Sequence, residues 1–314
     1  MSFPPIVSNA LHRVALMRLK AVAALSGGSV PGGCSVRAMG MELSSPIGMA
    51  AGFDRYGELA HRAHRLGFGF VETGTVTPLP EPGANRGIRA LLVNLERNGW
   101  ARRDLRIQRV RLGISIARNS QTPAVRAATD YAACMAAAWR YADYFMINLG
   151  TVQTELAVRT RELAGLLEGA RERHALLAQR FGRSVTLAVK FRLTPHGLEQ
   201  ALELLPRLAQ LGYTGILAAD EGGPAALMKL RALAAAVVTD GIDLVSVGGI
   251  RDLPTVHARI EAGAALLQVH RALLLPGPRL VRSINAARRA WYSATASLSA
   301  TASNPGDRST SGKC

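Results

Sequence analysis

Along most of this 314-residue chain, short apolar runs alternate with longer segments in which Ala, Leu and Arg recur at helical spacing. The apolar runs are Ile47–Ala51, Phe68–Glu72, Leu112–Ile116, Tyr144–Leu149, Thr186–Phe191, Gly215–Ala219, Leu244–Val247 and Leu266–Val269. Each is continuous and rich in Val, Ile or Leu, as expected of strands buried on both faces. Between them, Glu58–Leu66, Ala124–Tyr141, Glu155–Phe181, Leu198–Leu211, Ala225–Val238, Leu253–Ala262 and Pro278–Trp291 read as helices. The connection before Leu112 has no clear period. Repeated strand–helix units of this kind predict a (β/α)8 barrel. An open doubly wound sheet is the alternative, but no Gly-x-Gly-x-x-Gly opens the first helix.

The first 42 residues stand apart. Leu11–Leu25 has helical composition, with Val14, Met17, Ala21 and Leu25 on one face and His12, Arg13, Arg18 and Lys20 interspersed, and it stops at Ser26-Gly27-Gly28. Two readings stay open for this segment: a packing helix, or an amphipathic element touching a membrane surface. Residues 43–292 form the expected barrel. Residues 293–314 are rich in Ser, Thr and Ala without apolar periodicity, and a disordered tail is expected there.

A hydrophobic content of 48% is ample for one large core. Met1–Pro5 lacks the pattern of a secretory signal, and Cys34, Cys134 and Cys314 form no Cys-x-x-Cys pair, so neither a disulfide framework nor a metal site is expected. A cytoplasmic location follows as the default, with peripheral contact to the cytoplasmic membrane left open. The net charge of +16 is partly local, because Arg97–Arg126 holds eight arginines against the single acid Asp104. Such a face suits nucleic acid, anionic lipid or a phosphorylated ligand. Only Trp100 interleaves an aromatic ring and no nucleic-acid motif accompanies it, so a solvated surface is the simpler reading and no nucleic-acid partner is expected.

Candidate chemistry lies where a barrel keeps its active site, at the C-terminal strand ends. Those ends read Ala51-Gly52 with Asp54-Arg55, Thr73-Gly74-Thr75, Ser115, Asn148 with Thr151, Lys190, Asp220-Glu221, Gly248-Gly249 and Gln268-His270-Arg271. Ala50, Ala51 and Gly52 remove bulk where a flat ring or phosphate can approach backbone, although the same residues also serve plain close packing. Lys190, inside the run Leu187–Phe191, needs an anionic or electron-rich partner unless it reaches solvent. Gly248-Gly249 offers free backbone N–H groups for a phosphate.

These residues carry a resemblance. Ala50–Glu58 is similar to the AAGxDKxGE motif of the dihydroorotate dehydrogenases, and Gly69–Pro78 to their GxxExGTVTP. Ala188-Val189-Lys190, Val247–Ile250, Ala262-Gly263-Ala264 and Leu267-Gln268-Val269 follow in the family's order, so the chain from Leu11 to Arg288 resembles its class 2, quinone-using members. The resemblance implies a barrel holding FMN, a small-molecule substrate and a membrane quinone as electron acceptor. It also implies oxidation of dihydroorotate to orotate in pyrimidine biosynthesis, and an N-terminal helical segment that forms a quinone entrance and is shortened here. By the same resemblance Ala51 and Gly52 form the flavin floor, Thr75 contacts the cofactor, Asn148 touches both cofactor and substrate, Lys190 meets the flavin pyrimidine edge, and Gly248-Gly249 forms the phosphate loop.

Other positions depart from the family. Ser115 stands for an asparagine at the cofactor, and His270-Arg271 for a Tyr-Ser/Thr pair, which puts a guanidinium near the phosphate. The glycine-rich segment after the sixth strand is reduced to Glu221-Gly222-Gly223-Pro224. On the substrate side the resemblance places Thr151 at the catalytic serine, Gln153 at an asparagine, Arg55 at a lysine and Asp220 at an asparagine, while Glu96–Arg102 loses the asparagines of a further loop. An anionic orotate would meet Asp220, with Arg55 as an offset, so a rebuilt pocket is expected. Three function classes follow: a flavoenzyme, either an FMN-dependent dehydrogenase acting on CH–CH bonds of dihydroorotate through Thr151 or an FMN oxidoreductase for another, cationic or neutral, small molecule; a non-catalytic or repurposed barrel paralogue that binds a ligand or partner; and a nucleic-acid or anionic-membrane binder using the Arg97–Arg126 face.

Overall fold

The computed structural model describes residues 5–26, 35–83, 85–100, 110–150, 160–274 and 277–287. Eight parallel strands close into a barrel: β3 (Ile47–Met49), β4 (Phe70–Val76), β5 (Arg111–Ile116), β6 (Tyr144–Asn148), β7 (Thr186–Arg192), β8 (Gly215–Ala219), β9 (Asp243–Val247) and β10 (Leu266–Val269), with β10 returning to β3. Every expected apolar run supplies one of these strands. The expected barrel is therefore present; Gly215–Ala219 and Leu266–Val269 coincide with their runs and the other strand ends shift by at most four residues.

Side chains alternate across each strand and sort into two cores. Outward residues such as Val71, Phe145, Val189 and Ile216 pack under the helices. Inward residues, among them Phe70, Tyr144, Met146, Ala188, Leu217, Val245 and Leu266, fill the barrel. Space for the two large rings comes from glycines on neighbouring strands. A Cβ on Gly113 would lie 1.9 Å from the Tyr144 ring, and one on Gly48 would lie 2.2 Å from Phe70.

A hairpin of β1 (Val36–Ala38) and β2 (Met41–Leu43) closes the N-terminal end and straddles the expected boundary at residue 42. Its turn residues Met39 and Gly40 both have positive φ, as a two-residue turn of this hand requires. Met39 is fully buried; its N–H donates to Asp243 Oδ2 at 2.5 Å and its carbonyl accepts from Thr186 Oγ1 at 3.2 Å. This plug leaves the opposite end of the barrel for a ligand.

The helices follow the expected segments with three differences. The unassigned connection contains a helix, Gly87–Arg97. Ala124–Tyr141 divides into a 3-10 turn, Ala124–Arg126, and a helix, Ala127–Ala138. Glu58–Leu66 is a 3-10 helix confined to Ala60–Leu66, and the Asp54 carboxylate caps its approach by accepting the N–H groups of Glu58, Leu59 and Ala60 at 2.7, 2.7 and 2.8 Å. The remaining long helices are Thr160–Phe181, Pro195–Gln210, Pro224–Asp240 and Leu253–Glu261, followed by residues 278–287.

The N-terminal helix Pro5–Leu25 packs through a face other than the expected Val14, Met17, Ala21 and Leu25. Ala15, Leu19 and Ala23 are buried, whereas Val14, Met17 and Leu25 are 59, 61 and 88% exposed. Small residues allow close approach to Ala60–Leu66, and Lys20–Glu58 at 2.8 Å with His12 Nε2–Phe53 O at 2.8 Å fixes the helix beside the β3 loop. None of the described helices is long and apolar enough to cross a membrane.

Candidate functional site

Three successive strand ends meet in one polar network. Asn148 Nδ2 donates to Thr75 Oγ1 at 2.8 Å, and Thr75 Oγ1 lies 3.0 Å from Ser115 Oγ. Asn85 Nδ2 holds the Thr75 carbonyl at 3.0 Å, while Asn148 Oδ1 accepts the Gly150 N–H at 3.0 Å. The structure thus joins Thr75, Ser115 and Asn148, which the sequence separates by up to 73 positions. Serine at 115 keeps a hydroxyl in reach of Thr75, so the loss of an asparagine there does not empty the network.

Lys190 pairs in register with Asn148 and points inward by strand alternation. Burial lowers its pKa, opposed by the Glu72 carboxylate and reinforced by Arg192. Glu72 is fully buried below it, raised in pKa by burial, and accepts from Gln268 Nε2 at 2.7 Å and Tyr144 Oη at 3.2 Å. Among the described residues the Lys190 ammonium makes no hydrogen bond or ion pair. A largely buried cation with open donors suits an electron-rich carbonyl edge.

The floor comes from the β3 loop. Ala50 N–H donates to Val269 O at 3.0 Å, Gly52 N–H to Gly74 O at 2.7 Å and Gly74 N–H to Arg55 O at 2.9 Å, tying Ala51, Gly52 and Arg55 to both neighbouring strands. Beneath them Asp54 is wholly buried; desolvation raises its pKa to about 6 against the lowering effect of its three N–H donors. Over Gly52 stands His270, whose Nε2 would lie 3.3 Å from a Cβ at that position. Its ring meets Phe53 edge-on at 5.9 Å and lies 6.1 Å from the His12 ring. Desolvation, with the charges of His12, Arg271, Lys190 and Arg55, depresses its pKa to about 4. His270 is consequently neutral near pH 7.

A cavity of about 420 Å³ opens beside this floor, lined by Asp220, Gly248, Gly249, Arg251, His270 and Arg271 among others. It unites the expected phosphate loop with the His270-Arg271 pair. Among the described residues, the N–H groups of Gly248, Gly249 and Ile250 have no acceptor within the chain. Asp220, however, does not present a bare charge. Both oxygens are engaged by Arg259, at 2.6 and 2.9 Å, and Oδ1 also accepts the Gly222 N–H at 2.7 Å. The repulsion expected between Asp220 and an anionic substrate is therefore largely cancelled within the protein.

Arg259 escaped sequence reasoning because it is one arginine among many. Its signal was positional: it follows Val256 by three residues on the inner face of Leu253–Glu261, where a charge needs a partner. Glu72, Tyr144 and Gln268 show the same logic on strands, as polar groups at inward positions. Thr151 and Gln153 lie outside the described residues, as do four of the eight arginines in the Arg97–Arg126 face and the expected tail.

Comparison with known proteins agrees with this geometry. The family model described as dihydroorotate dehydrogenase matches residues 34–94. Curated relatives named dihydroorotate dehydrogenase (quinone) include that of Bordetella parapertussis, 31% identical over 77% of this chain and 81% of the relative. Those of Azotobacter vinelandii and Stenotrophomonas maltophilia are 32 and 33% identical, each over 80% of this chain and 83 and 82% of the relative. Among solved structures, the Eimeria tenella dihydroorotate dehydrogenase in complex with ferulenol superposes with a TM-score of 0.72 at 23% identity, over 90% of both chains.

Proposed function

This chain belongs to the dihydroorotate dehydrogenase family, and on that premise we propose that it is an FMN-dependent oxidoreductase that converts dihydroorotate to orotate and passes the electrons to a quinone. The supporting observation is the joint Thr75–Ser115–Asn148 network with the acceptor-free Lys190 beside it. These groups offer donors and acceptors to a flat heterocycle at the barrel mouth.

The residues present fit FMN. Ala51 and Gly52 leave room for the ring, Lys190 answers its electron-rich edge, and the unused N–H groups of Gly248–Ile250 answer its phosphate. When bound, FMN would supply a two-electron acceptor for hydride. The chain's part is to orient the substrate through Asn148, Arg55 and Gln153, and to remove a proton through the Thr151 hydroxyl. Threonine at that position keeps the oxygen that a general base requires.

The N-terminal helix gives the quinone a route. Its exposed Leu11, Val14, Met17 and Leu25 are interspersed with Arg13 and Arg18, a composition that suits the interface of an anionic membrane. His12 packs this helix against Phe53 beside the cofactor site, with the exposed apolar residues on its outer face. Peripheral membrane contact follows as part of the proposal.

Visible absorption of the purified protein, with mass identification of any released cofactor, tests the reading. Bound FMN that bleaches on adding dihydroorotate supports it. A colourless protein that takes up no added FMN would favour a non-catalytic barrel.

A further inference from the structure

We infer that Asp220 and Arg259 form a buried clamp that shapes the phosphate end of the flavin site, and that Asp220 positions cofactor rather than contacting substrate. This rests on the flavin reading above. The two side chains are 4 and 3% exposed and are joined twice, Nη2 to Oδ1 at 2.6 Å and Nη1 to Oδ2 at 2.9 Å. Nη1 also donates to Ser246 Oγ on β9. Asp220 in turn receives the Gly222 N–H, and its own N–H donates to Val247 O at 3.1 Å.

The clamp lies where two glycine loops touch backbone to backbone. A Cβ on Gly248 would fall 1.8 Å from the Asp220 carbonyl oxygen, and one on Gly249 would fall 2.6 Å from Gly222 Cα and 3.3 Å from Arg259 Nη2. Side chains are thus excluded from the contact between the loops after β8 and β9. The ion pair and Ser246 fix that contact from below. Above it, Gly248, Gly249 and Ile250 line the cavity with N–H groups that have no acceptor among the described residues. An asparagine at 220 would leave Arg259 buried without a counter-charge, which the surrounding loops would have to relieve by moving. Here the carboxylate serves Arg259, and the phosphate benefits from a pre-organised ring of amides.

Because the clamp acts at the phosphate end, it should discriminate FMN from riboflavin, which has the same ring and no phosphate. Full-length protein freed of flavin is titrated with each. Asp220→Asn and Arg259→Lys are expected to weaken FMN binding by about tenfold or more while changing riboflavin binding less than about twofold. Ser246→Ala, which keeps the ion pair, should shift the same ratio in the same direction by a smaller factor and carries the test if the charge variants fail to fold. Equal losses for both flavins, or no loss for either, would overturn the clamp. So would Asp220→Asn protein that binds orotate more tightly with FMN binding unchanged. Wild-type protein that binds neither flavin would instead overturn the flavin reading itself.

Discussion

The ends of β4 to β7 and the ends of β8 to β10 solve the same problem in opposite ways. On the first side Thr75, Ser115 and Asn148 hydrogen-bond one another, while Lys190 keeps its donors open. On the second side the charged groups are spent internally, Asp220 on Arg259, and the open donors are backbone amides of Gly248–Ile250. Side chains present the chemistry in one half; in the other they hold a backbone that presents it. Substitutions should therefore act on turnover in the first half and on cofactor retention in the second.

That division can be broken by experiment. The largest effect is expected from Thr151→Ala, which should lower turnover by about 10²–10⁴ with FMN still bound, the range typical of a lost general base. Unchanged turnover would remove Thr151 from the mechanism. Lys190→Ala should lower the rate of flavin reduction by about 10²–10³, as loss of a pre-organised electrostatic contact does. Stopped-flow reduction by dihydroorotate measures it, and a normal rate would separate Lys190 from the ring.

Gly248→Ala probes the other half. Its Cβ would collide with the Asp220 carbonyl at 1.8 Å in a backbone with φ +113°, so flavin should be lost and stability should fall by about 2–4 kcal/mol. Thermal denaturation with and without added FMN reads both effects; a holoprotein of wild-type stability would show that the loops do not need their contact. Ser115→Ala returns to the first half and is milder. It removes one partner of Thr75 and should cost about 1 kcal/mol, read as a modest fall in turnover with flavin retained; a loss of flavin instead would blur the division.

The smallest effect concerns pH. His61 and His270, depressed from 6.5 to about 4 by burial, stay neutral in the folded chain where the unfolded chain takes up protons. Stability contributed by these two groups is complete above pH 6.5 and is lost as pH falls toward 4. Asp54, raised from 3.8 to about 6, acts in the opposite sense and favours the folded state on acidification through that window. His270→Gln should flatten the decline in urea-melt stability between pH 6.5 and 4, and an unaltered slope would contradict the neutral imidazole.

The barrel was legible because buried parallel strands are continuous apolar runs, and each of the eight runs marks one. The elements that escaped depend on single side chains reaching across the chain. Asp54 caps the start of the following helix by accepting three N–H groups, which no periodicity reveals. On the N-terminal helix the eye follows Val14, Met17 and Leu25, yet packing uses Leu19 flanked by the small Ala15 and Ala23, which let the helix approach closely. At the site, strand ends identified Thr75, Ser115, Asn148 and Lys190 as neighbours, because barrel topology alone brings them together. Asp220 could be placed but not interpreted. Its meaning depends on Arg259, 39 positions later on a helix.

The proposed reaction at this mouth moves electrons from dihydroorotate through bound FMN to a quinone. Its most direct test is anaerobic mixing of the purified holoprotein with dihydroorotate, followed by addition of a short-chain quinone. Bleaching of the flavin absorption, appearance of orotate in equal amount, and recovery of the absorption on adding quinone are expected. A flavin that stays oxidised with dihydroorotate, though reducible by dithionite, would contradict the account and leave the barrel as a flavoprotein for another substrate.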